Sequence, residues 1–138
     1  MSQTNSGQIL VVDDDFAGTT IIRAVLKRDG FRVVSASSHD EVFAFMNAYP
    51  PDLILLSVQL TSQDGLALTR QLKGNPVTAA IPIVALAAHA LVGDRKRAIA
   101  AGCSGFILKP IDTSTLGDDV RKFLPARPDR AEGPSSVA

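Results

Sequence analysis

Short, nearly unbroken apolar runs recur along the chain: Ile9-Leu10-Val11-Val12, Leu53-Ile54-Leu55-Leu56, Ile83-Val84-Ala85-Leu86 and Phe106-Ile107-Leu108. Runs this short and this apolar read as strands covered on both faces, because a half-exposed strand alternates apolar with polar positions. They predict strands over 8–12, 52–56, 81–86 and 106–108, and the β-rich 31–36 supplies a further one. Between them the apolar spacing becomes helical. A helix over 16–28 places Ile21, Ile22, Val25 and Leu26 on one face, with Gly30 in the stop position. Ser38-His39-Asp40-Glu41 has the capping-box pattern and opens a helix carrying Val42, Phe45 and Met46 that Pro50-Pro51 ends. Asp64 is placed to cap a helix running through Leu66, Leu68 and Leu72 to Gly74. Two more helices are predicted over 94–101, closed by Gly102, and over 113–123.

Strands that alternate with helical crossovers build a parallel sheet with helices on both faces, and right-handed crossovers make it doubly wound. Five such strands account for residues 8–124 as one domain, with residues 1–7 and 125–138 predicted disordered. The fold class is therefore α/β, and folds of this class place their sites beyond the carboxyl ends of the strands.

Composition narrows the function. Lys+Arg and Asp+Glu both number 14, so no global field draws the chain to nucleic acid or to a membrane surface. No apolar stretch approaches the roughly 20 residues that span a bilayer, and the first residues lack the pattern of a signal peptide. A single cysteine, Cys103, excludes an internal disulfide, reads as a small core residue and fits a cytoplasmic location. His39 and His89 have no ligand spacing and read as surface residues.

The ends of the apolar runs carry the candidate chemistry. Asp13-Asp14-Asp15 follows the first run, Ser57 the second, and Lys109-Pro110 the last. Together with Val11-Val12-Asp13-Asp14, Pro51-Asp52-Leu53-Ile54-Leu55-Leu56, Asp64-Gly65, Pro82-Ile83-Val84-Ala85-Leu86, Ala100-Ala101-Gly102 and Phe106-Ile107-Leu108-Lys109-Pro110, this order resembles the receiver domain of two-component response regulators, including the stand-alone chemotaxis type. The resemblance implies a flavodoxin-like sheet of order 2-1-3-4-5. It implies that Asp13 and Asp14 are the pair that holds Mg²⁺, that Lys109 contacts the phosphoryl group ahead of a cis peptide to Pro110, and that Phe106 is the switch aromatic. The phosphoacceptor aspartate of the family falls on Ser57. The hydroxyl that reads the phosphoryl group falls on Ala87, and the proline after the phosphoacceptor falls on Thr61.

A carboxylate attacks a phosphoryl donor while Mg²⁺ and a lysine neutralise the oxygens. A serine hydroxyl at 57 brings neither the charge nor a third carboxylate for an octahedral cation. Ala87 has no hydroxyl with which to couple a phosphoryl group to the following loop. The expectation is a stand-alone pseudo-receiver of a two-component or phosphorelay pathway. It is expected to act through protein contacts without aspartyl phosphorylation, enzymatic activity or a required cofactor, with Mg²⁺ weak at Asp13 and Asp14. Its partners are then a histidine kinase or an output protein, met through a face with Arg95, Phe106 and Lys109, where a homodimer across helix 4, strand 5 and helix 5 would also form. The alternative is a phosphorylatable receiver using Asp13 or Asp14, or one in which Ser57 is an engineered replacement of Asp. A third reading, a flavin binder, meets acids where a phosphate loop is needed after the first strand. Simpler readings stand beside these: Asp14 and Lys109 as a plain ion pair, Asp94-Arg95-Lys96-Arg97 as a solvated helix face, and Phe106 as a buried, fixed ring.

Overall fold

The computed structural model describes residues 7–48, 50–58, 65–87, 94–109 and 111–124. Thr61, Asp64, His89, the peptide to Pro110 and the predicted disordered segments 1–6 and 125–138 lie outside the described residues, as does the side chain of His39. The elements alternate: β1 (Gln8–Val12), α1 (Phe16–Arg28), β2 (Arg32–Ala36), α2 (His39–Ala48), β3 (Leu53–Ser57), α3 (Gly65–Lys73), β4 (Ile83–Ala87), α4 (Asp94–Ala101), β5 (Gly105–Leu108) and α5 (Leu116–Phe123). The five strands pair in parallel, as the apolar runs predict, and in the order β2-β1-β3-β4-β5 that the family resemblance implies.

The sheet divides the core into two layers, and each strand feeds both. Leu10, Val12, Ile54 and Leu56 point toward Val42, Met46, Leu66 and Leu72, while Ile9, Val11, Leu53 and Leu55 point toward Ile22, Leu26, Leu116 and Val120. Alternate residues of one strand therefore enter opposite cores, which is why the runs are apolar without interruption. Burying each such side chain contributes about 1.5–3 kcal/mol.

Two helices stop at glycines for a backbone reason. Gly30 (φ 95°) and Gly102 (φ 115°) adopt the left-handed conformation after α1 and α4. Phe31 N–H then donates to Leu26 O at 2.9 Å and Gly30 N–H to Lys27 O at 3.1 Å, satisfying carbonyls that the helix leaves without partners. Cys103 and Gly102 repeat this pairing on Ala98 and Ile99, both at 3.0 Å. At α2 the capping residues work with one shift. Ser38 Oγ accepts from Glu41 N–H at 3.3 Å, but the Glu41 carboxylate reaches back to Ser37 N–H at 2.7 Å rather than to Ser38.

Several boundaries and exposures differ from the sequence reading. β4 begins at Ile83 rather than 81, with Pro82 still outside and its carbonyl accepting from Ile54 N–H at 3.0 Å. α5 begins at Leu116 rather than 113, because Asp112 Oδ1 holds residues 112–115 in a turn through Ser114 N–H at 2.9 Å. Gly7 is buried and accepts from Arg32 N–H at 2.9 Å, so the ordered domain reaches one residue further than 8. Ile21 is 49% exposed, because only Ile22, Val25 and Leu26 of its predicted stripe face the sheet. Phe106 is half-buried rather than enclosed.

Candidate functional site at the carboxyl edge of the sheet

Parallel register brings the predicted site residues to one edge. Val12 lies beside Leu56, which sets Asp13 beside Ser57, and Ser57 pairs with Leu86. Ala87 pairs with Leu108, so Lys109 follows directly beyond, and its N–H donates to Ala87 O at 2.7 Å. The apolar runs thus deliver Asp13, Ser57, Ala87 and Lys109 to one row of strand ends. Ser57 itself is the last residue of β3 rather than the first of the following loop.

The centre of the site is an ion pair. Lys109 Nζ donates to Asp13 Oδ2 at 2.6 Å, with the Asp13 side chain 2% and the Lys109 side chain 22% exposed. Asp13 Oδ1 accepts from Asp15 N–H at 3.0 Å. Both carboxylate oxygens therefore have donors, which a buried charge requires. The partner of Lys109 is Asp13, not Asp14. Asp13 is turned inward by the strand pleat and held there by Ala36 O, which accepts from its N–H at 3.1 Å, whereas Asp14 sits one residue on and is exposed. The third acid serves the helix instead. The Asp15 side chain accepts from Gly18 N–H at 3.2 Å and caps α1.

Ser57 and Ala87 are both buried. Gly65 closes the site from the α3 side, donating its N–H to Val58 O at 3.0 Å. A Cβ at position 65 would run into Ser57 O and come within 2.9 Å of Val58 O, so the close approach of α3 to the end of β3 requires glycine there. Among the described residues no group of three His, Cys, Asp or Glu side chains is placed to hold a metal ion.

Of the residues predicted for the partner face, Arg95 and Phe106 come together. Arg95 and Phe106 line an open groove of about 500 Å³ with Leu108, Ile111, Asp119 and Phe123. Lys109 is absent from it, because its side chain is committed to Asp13. Two features at the α1 end escape the sequence reading. Phe16 is 86% exposed, and a cleft of about 310 Å³ beside it carries Asp13, Asp14 and Glu41. The only sequence signal for this cleft is the pairing of Ser38 with Glu41, which reads as a cap.

The comparisons agree with this geometry. The family model for the response regulator receiver domain matches residues 9–121. The response regulator PleD of Caulobacter vibrioides is 37% identical over 118 residues, covering 86% of this chain. The chain spans only 26% of the length of that relative. A response regulator from Thermotoga maritima superposes with a TM-score of 0.76 at 25% identity, over 84% of this chain and 95% of that one. The receiver domain of a sensor histidine kinase from Pseudomonas aeruginosa, solved with a magnesium ion coordinated in its active site cleft, superposes with a TM-score of 0.76 at 29% identity, over 85% of this chain and 96% of that one. Among the described residues no helix is long and apolar enough to cross a membrane.

Proposed function

The chain belongs to the response regulator receiver domain family, and we propose that within it this chain is a pseudo-receiver, a signalling module that works through protein contacts without aspartyl phosphorylation. The observation that carries the reading is Ser57 at the phosphoacceptor position beside an Asp13–Lys109 pair that is already complete. A neutral hydroxyl offers no carboxylate nucleophile, and the Asp13 carboxylate beside it is already engaged by Lys109 and the Asp15 amide. At Ala87 the hydroxyl that would read a phosphoryl group is missing, so even a modified site has no differential contact through which to shift a conformational equilibrium.

The donor set does not suit the magnesium ion that the related Pseudomonas receiver coordinates. Mg²⁺ demands near-octahedral oxygen ligands and gives up its waters reluctantly. Here one carboxylate is replaced by Ser57, and Asp13 is engaged by Lys109 and by the Asp15 amide. Binding at Asp13 and Asp14 is at most weak, and no cofactor is required.

The partner is a histidine kinase or an output protein. The groove on the α4–β5–α5 face supports such contacts: Arg95 stands on its α4 side, and Asp112, Asp119 and Lys122 stand on its α5 side over an apolar floor that includes Phe106, Ile111 and Phe123. A homodimer through this face would use the same groove on both copies, as a two-fold interface requires.

Incubation with acetyl phosphate and Mg²⁺, followed by intact-mass spectrometry, tests the reading. No gain in mass is expected. A stoichiometric gain of one phosphoryl group that hydroxylamine removes would overturn it, and mapping that group to Asp13 or Asp14 would establish the alternative acceptor.

A further inference from the structure

The sheet ends in two edges. The β5 edge borders the α4–β5–α5 groove, and the β2 edge lies at the far side of the sheet with no strand beyond it among the described residues. Arg32 N–H donates to Gly7 O at 2.9 Å and Ala36 O accepts from Asp13 N–H at 3.1 Å, so residues 32 and 36 turn their main chain toward β1. The alternation along a strand then turns the N–H and C=O groups of Val33 and Ser35 the other way, off the sheet.

An open groove of about 510 Å³ runs along this edge. Val33 and Val34 both line it, although Val33 packs on the core layer of Phe31 and Val34 on the opposite layer, with Phe45. A groove reached from both faces of a strand wraps the free edge rather than lying on either face. Val33, Val34 and Phe45 are half-buried in it. Lys27 of α1 and Arg32 stand exposed along it, and no carboxylate lines it.

Outward main-chain groups on an unpaired edge are a template for an added strand. The two cations decide what that strand can be. A second copy pairing β2 with β2 brings the Lys27 and Arg32 side chains of both copies to one seam, where like charges oppose the pairing. An acidic segment is attracted to the same two side chains, and an apolar residue within it covers Val34 and Phe45. We propose that the β2 edge receives an extended acidic segment of a partner protein, its main chain bonded to Val33 and Ser35 and its carboxylates beside Lys27 and Arg32. The site lies across the sheet from the α4–β5–α5 groove, and the proposal stands whether or not position 57 takes up a phosphoryl group.

Titration of the full chain, followed through its amide resonances, tests this with the blocked peptide Asp-Asp-Val-Asp-Val-Asp, and with counterparts that carry Asn or Lys in place of every Asp. The acidic peptide is expected to give saturable shifts at Val33 and Ser35, with the Asn peptide weaker by about fivefold, since two exposed ion pairs are lost. Methylating alternate peptide nitrogens of the acidic peptide should abolish the shifts, because an added strand must donate to the edge. Lys27→Glu combined with Arg32→Glu changes two exposed side chains and should reverse the preference, so that the Lys peptide binds and the acidic one does not. No saturable shift at Val33 and Ser35, equal binding of the Asn peptide, undiminished binding of the methylated peptide, or an unreversed preference in the double variant would each overturn the proposal. So would an oligothymidylate that shifts the same amides more tightly than the acidic peptide, which would assign the basic edge to nucleic acid.

Discussion

The two halves of the carboxyl edge have kept different things. On the β1 and β5 side, Asp13 and Lys109 keep charge: a 2.6 Å ion pair with the carboxylate buried and both of its oxygens in use. On the β3 and β4 side, Ser57 and Ala87 keep only shape, both buried at strand ends whose register and packing are intact. Strand pairing is main-chain chemistry, so the sheet closes whatever the terminal side chain is. A buried charge is less forgiving, because it must be either paired or removed. The comparison teaches that strand register at such an edge holds whatever side chains end the strands, whereas a buried charge there must be paired.

The sharpest way to break the comparison is to remove the cation that the first half depends on. Lys109→Met keeps most of the side chain's length and leaves Asp13 charged and buried against a thioether. Breaking one partner of a buried pair costs up to about 3–5 kcal/mol. The partial exposure of Lys109 and the remaining Asp15 amide bond place the expected loss near the lower end, ~3 kcal/mol, read from the urea midpoint at neutral pH. A loss below ~1 kcal/mol would mean that the pair behaves like a surface ion pair and that the two halves are not so different.

The second half is tested through the backbone that closes it. Gly65→Ala places a methyl group into Ser57 O and close to Val58 O, both of them main chain with little room to move. Overpacking of this kind costs typically 1–3 kcal/mol, and about 2 kcal/mol is expected here. An unchanged midpoint would show that α3 can draw away from β3, and that the site is looser on this side than its register implies.

The sheet was legible in the sequence because its signal is redundant: four of the five strands repeat a nearly unbroken apolar run, and Gly30 and Gly102 mark helix ends that the structure closes with left-handed glycines. The membership of the site was legible for a related reason, since side chains that follow parallel strands must gather at one edge. What was not legible depends on direction rather than on order. Nothing in Asp13-Asp14-Asp15 says which acid turns inward; the pleat of β1 and the bond to Ala36 O decide that it is Asp13. The exposure of Ile21 escaped because an apolar residue beside a buried stripe looks like part of it. Phe106 escaped because its cover depends on how closely α4 approaches β5.

Restoring the lost carboxylate sharpens the comparison at smaller magnitude. Ser57→Asp puts a second buried acid next to Asp13, with one lysine to serve both. Without metal the variant is expected to lose about 1.4 kcal/mol, the equivalent of one pKa unit of repulsion, at neutral pH. Saturating Mg²⁺ should recover it, since ligand at 100 times its dissociation constant stabilises by about 2.7 kcal/mol. Thermal melts with and without Mg²⁺ measure both. Equal response to Mg²⁺ in the parent chain would show that Asp13 and Asp14 suffice for the metal.

The smallest effect separates chemistry from coupling. Ser57→Asp returns a nucleophile to an edge that already holds Asp13, Asp14 and Lys109, so phosphoryl uptake is expected from this change alone. Ala87 still presents a methyl group, and nothing in a methyl group distinguishes a phosphoryl oxygen from water. The distant α4–β5 face should therefore not respond until Ala87→Thr is added. The coupling gained is expected to be about 1 kcal/mol, at the low end of measured links between sites, because the hydroxyl supplies one hydrogen bond. Amide shifts of Arg95 and Phe106, compared with and without a beryllofluoride mimic, read the coupling in the single and double variants. Full shifts in the single variant would show that position 87 carries no coupling and that Lys109, through the bond from its amide to Ala87 O, relays the change through the main chain instead.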